Sequence, residues 1–213
     1  MGIISDLSIM FPKKNDPSRH QKLFSDFKNL LIKLNMRNNI GLKVYKDPLY
    51  NGIAGNEKYI LISDSLVRLY DQNPAAVRCM MAHELTHVKY RDFGLYKAMI
   101  GFGVAFGVNY CRAINLLMEI RAEVEAYRIN QFTSEEFKVI HNTFKQHNTN
   151  SKKIKSYEVG YPDRDSTVEL CIKHKKFSSA LIDELLMDFC MNMNVENSEK
   201  LIKNVKKKFI IAS

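Results

Sequence analysis

The chain predicts an α+β fold: a small mixed sheet with an exposed edge strand, packed on a mainly helical body that carries an HExxH helix and a Glu-bearing helix. Three observations carry this reading. Short β-branched runs gather between residues 40 and 63, apolar residues recur at helical spacing on both sides of them, and Asn/Asp–Pro pairs mark helix starts. With 213 residues, 46% of them hydrophobic and 26% charged, the chain can bury a sizeable core and lacks the signature of disorder.

Taken in order, Asp16–Pro17 is placed to cap and open a first helix, and Leu23, Phe24, Phe27, Leu30, Leu31 and Leu34 then recur on one face until "NMRNNIG" ends it. "IGLKVYK" (40–46) and "KYILIS" (58–63) read as strands, and the Gly-rich "YNGIAGN" between them suits an exposed edge strand. Asn73 and Pro74 open the next helix, "PAAVRCMMAHELTHVKY", which has good helix formers and no breaker. A helical stretch follows from about Leu95 to Asn130, with glycines 101, 103 and 107 expected to interrupt or bend it. Thr133 and Glu136 form a capping box, 146–156 reads as a polar linker, and two or three amphipathic helices lead to the basic tail "KNVKKKFIIAS".

The formal charge of +9 is spread over short lysine clusters without a nucleic-acid motif beside them. A solvated basic surface is the expectation, with no specific nucleic acid as partner. Cys79, Cys111, Cys171 and Cys190 are widely spaced within apolar helical patterns, as expected of buried free thiols in a reducing compartment. The opening "MGIISDLSIMFPKKND" is a poor secretory leader, and "AMIGFGVAFGV" (98–108) is about half the ~20 residues a transmembrane helix needs. A buried helix is the reading of that Gly-rich segment, with shallow membrane contact as its alternative, and a soluble cytoplasmic protein with no transmembrane span is expected.

The chemistry sits in "MAHELTHVKYRD" (81–92). Residues four apart share a helix face about 5–6 Å apart, so His83 and His87 can reach one zinc ion. Glu84 is rotated by about 100° from His83 and can face a water rather than the metal. A pair of ordinary surface or core histidines is the competing explanation. A catalytic zinc needs a third protein ligand and an open position. Cys79 shares the histidine face but lies roughly 9 Å along the axis from their midpoint, so it reads as core. Glu119, 32 positions after His87, allows a loop and a return helix, and Glu123 one turn on can accept the outer N–H of a liganding histidine. The alternative for both is a solvated acidic face that includes Glu125.

"HELTHVKYRD" followed by "EIRAE" resembles the gluzincin zinc metallopeptidases, specifically the CAAX-prenyl-protease/HtpX-like group and its soluble minimal relatives, the minigluzincins. The pattern falls on His83, Glu84, His87, Arg91, Asp92, Glu119 and Ala122, with Glu123 where that group usually has Asp. The resemblance implies one Zn²⁺ on His83, His87 and Glu119, Glu84 as general base, and a peptide or protein as substrate. "NGIAGNEKYILISDSLV" looks like the group's edge-strand motif, which implies that Asn51, Gly52, Ile53 and Ala54 line the cleft and pair with an extended substrate. "YPDRDSTVEL" is weakly similar to its His-Pro motif, with Tyr161 in the histidine's place either as an oxyanion donor or as part of a Tyr-Pro turn with no catalytic task. His141, His147 and His174 are further candidates for that role, each also suited to capping or decorating a helix.

The expected organisation is a zincin-like catalytic domain over 1–147 and a helical extension over 148–213 that completes or covers the cleft. Zinc-dependent endoproteolysis is the expected function. The alternative is a regulatory protein-binding module on a peptidase scaffold, acting on one partner or latent, with "KKFIIAS" lying in the cleft as an extended strand.

Overall fold

The computed structural model describes residues 13–14, 20–148 and 156–210. Its sheet has the order β1-β2-β4-β3, with β1 Lys13–Lys14, β2 Gly41–Tyr45, β3 Gly52–Asn56 and β4 Tyr59–Ser63. The central pair β2/β4 is parallel, while β1/β2 and β3/β4 are antiparallel, so the sheet is mixed and β3 is an edge. β3 pairs Gly52 with Ile62, Ile53 with Leu61 and Ala54 with Ile60 before a bulge at Gly55. A side chain at Gly55 would collide with the Tyr59 ring, which explains a glycine at the bulge. β4 is buried nearly throughout, whereas β3 is half-buried along its whole length, as expected of an edge.

Helices make up the rest: α1 Gln21–Lys33, α2 Asp64–Leu69, α3 Pro74–Tyr90, α4 Gly94–Ala105, α5 Asn109–Asn130, α6 Ser134–His147, α7 Arg164–His174, α8 Ser179–Asn192 and α9 Ser198–Ile210. α1 buries Leu23, Phe27, Leu30 and Leu31, four of the residues whose spacing marked it. It opens after His20 without a side-chain cap, and Asp16–Pro17 lie outside the described residues. Asn73 caps α3 by accepting from the Ala76 N–H at 3.1 Å, with Pro74 at the first helical position. The Thr133/Glu136 box closes in both directions, at 3.2 and 2.8 Å.

The expected stretch from Leu95 to Asn130 is two helices. The break falls at Phe106–Val108, where Gly107 adopts φ +74°, and not at Gly101 or Gly103. Gly103 instead lets α4 press against α5, since a Cβ there would stand 2.3 Å from Cys111 Sγ. α5 is the centre of the molecule, nearly all of its last four turns buried against α3 on one side and α7–α9 on others. At the tail, Phe209 is buried and Lys206–Ile210 continue α9. That corrects the alternative in which the tail lies in the cleft as an extended strand: the periodic Val205 and Phe209 bury a helical face, and residues 211–213 lie outside the described ones. Among the described residues, no helix is long and apolar enough to cross a membrane.

Candidate metal centre

His83, Glu84 and His87 occupy the buried middle of α3, and Glu119 and Glu123 the facing turns of α5. The two imidazoles meet edge to face, with Nε2 atoms 3.1 Å apart. Glu119 Oε2 lies 3.4 Å from His83 Nε2 and 3.6 Å from His87 Nε2. Ligands bound tetrahedrally at about 2.0–2.1 Å stand about 3.3–3.4 Å apart. The observed edges of 3.1, 3.4 and 3.6 Å bracket that spacing, so the three atoms are placed to fit one small divalent cation. Cys79 stays out of this triangle and is buried.

Each of the three side chains is held from behind. Arg91 ends α3 in the left-handed conformation (φ 59°), and the next amide, Asp92, donates to the His87 carbonyl at 2.8 Å. This cap turns the chain back so that Asp92 Oδ2 reaches His87 Nδ1 at 3.4 Å. Arg121, itself buried on α5, donates to the same oxygen at 2.6 Å and stacks 3.9 Å from the Tyr90 ring. On the other histidine, Glu123 Oε1 lies 3.5 Å from His83 Nδ1, and its second oxygen faces His141 Nε2 at 3.5 Å. The longer arm of a Glu in place of Asp therefore spans two imidazoles. Glu119's second oxygen accepts from Lys97 Nζ at 2.7 Å, and Lys97 also donates to Asn115 at 2.7 Å.

Electrostatics follow from this crowding. Burial opposes charge on His83, yet the carboxylates of Glu123, Glu119 and Glu84 outweigh it and raise the imidazole to about 10. His87 moves upward as well: burial opposes it, but Glu119 and Asp92 prevail. Burial also resists ionisation of Glu119, but Lys97 and the two histidines hold it well below the usual carboxylate range. Glu84 moves the other way: burial raises it, against the pull of His83 and His87.

Gly52 of β3 lies directly on Glu84, where a Cβ would stand 2.7 Å from Glu84 Cγ and 3.1 Å from Met80 Cγ. The open strand edge thus runs along the α3 residues of the centre. β3 is anchored at its start by α6: Asn148 exchanges hydrogen bonds with the Tyr50 backbone at 3.1 and 3.0 Å, and the His147 ring stacks on Tyr50 at 3.5 Å. Asn51, Gly52, Ile53 and Ala54 are all half-buried.

Tyr161 follows a 3₁₀ turn, Tyr157–Val159, and Gly160 at φ +71°. Gly160 must be glycine, because a Cβ would stand 2.8 Å from the Arg112 carbonyl. Asn115 of α5 donates to the Gly160 carbonyl at 3.1 Å, and this turn delivers the phenol to the Glu119 carboxylate. Burial first, then Glu119, pushes the Tyr161 hydroxyl well above its ordinary value. Of the other histidines, His174 pairs with Glu184 at 2.9 Å, His147 contacts Pro48 and Tyr50, and His141 backs Glu123; none of the three touches the triangle.

Lys97, Asn115 and Arg121 escaped the sequence reading, and Asp92 entered it only as part of a pattern. The one available signal was Asp92's distance of five from His87 across a helix end.

No curated protein and no solved structure matched the chain. The family model described as peptidase family M48 matches residues 17–145, more than half of the chain and including both α3 and α5. The chain belongs to peptidase family M48, a family of zinc-dependent metallopeptidases.

Proposed function

We propose that this chain is a zinc-dependent endopeptidase of gluzincin type, in the manner of the CAAX-prenyl-protease/HtpX-like enzymes and the minigluzincins. The observation that carries the reading is the triangle of His83 Nε2, His87 Nε2 and Glu119 Oε2, with edges of 3.1, 3.4 and 3.6 Å. These three residues would hold the zinc ion. When bound, zinc supplies Lewis acidity that makes hydroxide accessible near neutral pH and polarises a carbonyl.

The remaining steps belong to the chain's own groups. Asp92 and Glu123 hold the two imidazoles in the tautomer that leaves both Nε2 lone pairs free. Glu84, adjacent to the triangle and with its pKa raised mainly by burial, takes a proton from the attacking water and passes it to the leaving amine. Tyr161 donates to the oxyanion as the carbonyl becomes tetrahedral, which its high pKa suits, since the hydroxyl stays protonated. Asn51 to Ala54 lie beside Glu84 on a strand edge that no other described strand pairs, so an extended substrate can pair through its main chain with little dependence on its sequence. In this reading 1–147 form the catalytic domain, and 148–213 complete its cleft through Tyr161. The four free cysteines suit a cytoplasmic location.

The test is cleavage of a quenched-fluorescence peptide library by the zinc-loaded protein and by Glu84→Gln. The parent cleaves, and the variant keeps its zinc but loses turnover by about 10³-fold or more. A fully active Glu84→Gln would remove Glu84 as the base, and a parent inert towards every peptide would count against the peptidase itself.

A further inference from the structure

α4 is apolar on both sides. Towards the protein, Ile100 and Gly103 are buried and Lys97 reaches Glu119. Towards solvent, Leu95, Met99, Phe102 and Phe106 stand 79%, 63%, 67% and 71% exposed. At 100° per residue these four fall within roughly 60° of arc, a single stripe along the helix. Past the break, Val108 and Tyr110 are also exposed. A stripe of large apolar side chains facing water marks a surface that something covers. Among the other exposed large apolar side chains of the described residues, Ile32, Val139, Val159, Met187 and Met191, only Met187 and Met191 lie one turn apart on a helix.

The occupant follows from length and charge. Twelve residues of helix reach about 18 Å, too short to cross a hydrocarbon core of about 30 Å, but suited to lying in the plane of its surface. Lys208 Nζ lies 3.8 Å above the Tyr96 ring on α4, and Arg91, Tyr96 and Lys208 line one recess at the start of the helix. Arg91, Lys207 and Lys208 are exposed. The net charge of +9 opposes a second copy and favours an anionic surface.

We propose that α4 docks this chain on an anionic bilayer surface, with Leu95, Met99, Phe102 and Phe106 among the acyl chains and Arg91 and Lys208 at headgroup level. The docking does not depend on the peptidase reading. It does bear on it, because Lys97 joins the opposite side of the same helix to Glu119. The candidate centre would then lie about one helix diameter, some 10–12 Å, from the lipid.

The chain contains no tryptophan, so Phe102→Trp installs a single indole on the stripe. On adding vesicles of phosphatidylcholine with about 30 mol% phosphatidylglycerol, its emission shifts to the blue and the protein sediments with the lipid. Phosphatidylcholine alone should bind at least about tenfold more weakly. The double variant Phe102→Ser/Phe106→Ser, at exposed positions that leave the fold intact, should lower partitioning by roughly 100-fold. Met187→Ser/Met191→Ser, on a different surface, should leave it unchanged. The proposal is overturned by an unshifted indole, by equal binding to neutral vesicles, or by equal binding of the double variant. A dimer dissolved by the same two substitutions, without vesicle binding, would overturn it in favour of a second copy.

Discussion

Asp92 stands where fold stability and metal affinity meet, so Asp92→Ala should damage both by separable amounts. The carboxylate is 5% exposed, accepts from Arg121 at 2.6 Å and faces His87 Nδ1 at 3.4 Å. Its removal strands the Arg121 guanidinium, whose Nε already lacks a hydrogen-bond partner. Orphaning one member of a buried ion pair costs about 3–5 kcal/mol, out of a total stability of about 5–15 kcal/mol. With a urea dependence of about 2 kcal/mol/M, the unfolding midpoint of the metal-free protein should fall by about 1.5–2.5 M. Arg121→Met removes the stranded charge, so Asp92→Ala should cost about 2 kcal/mol less in that background than alone. Separately, chelator competition on the folded variant should show a zinc affinity about 10–100-fold weaker, through the lost partner of His87. A midpoint shift below about 0.5 M in the metal-free state would refute the buried-pair argument. Unchanged zinc affinity would refute the orienting role.

Other outcomes follow from the same geometry. His83 in the metal-free protein is raised from 6.5 to about 10, so the stability it lends is complete below pH 6.5 and is lost as pH rises towards 10. Zinc needs that imidazole neutral, so apparent zinc affinity should climb at least about tenfold per pH unit between 6.5 and 8.5. Competition against a calibrated chelator checks this, and a flat profile contradicts it. Tyr161→Phe should keep zinc and lower kcat by about 10²-fold with little change in KM, as expected for a donor used only in the transition state. Steady-state kinetics decide it, since a rise in KM alone would make Tyr161 a substrate contact instead.

The elements were legible because the local signals agree with one another. Asn73–Pro74, the Thr133/Glu136 box and the β-branched runs of β2 and β4 each name their own structure, and packing reinforces them. The break between α4 and α5 was expected at one of three glycines, and it falls at the last of them, because the three look alike in sequence. Only the packing distinguishes Gly103, which admits Cys111, from Gly107, which turns the chain. The α3 residues of the centre were legible because a helix fixes the relation of i to i+4. The supporting groups were not. Lys97 and Arg121 come to the centre through tertiary packing of α4 and α5, and no local spacing encodes that meeting. The alternative of an extended tail fails over Lys206–Ile210, which no short motif revealed, because Val205 and Phe209 bury one helical face there.

Metal content tests the central claim most directly. The purified protein, dialysed against metal-free buffer and analysed by mass spectrometry, should hold close to one zinc per chain. His83→Ala, His87→Ala and Glu119→Ala should each retain less than about a tenth of that. One tightly held zinc in Glu119→Ala, in a protein that is still folded, would contradict a centre built by α3 and α5 together.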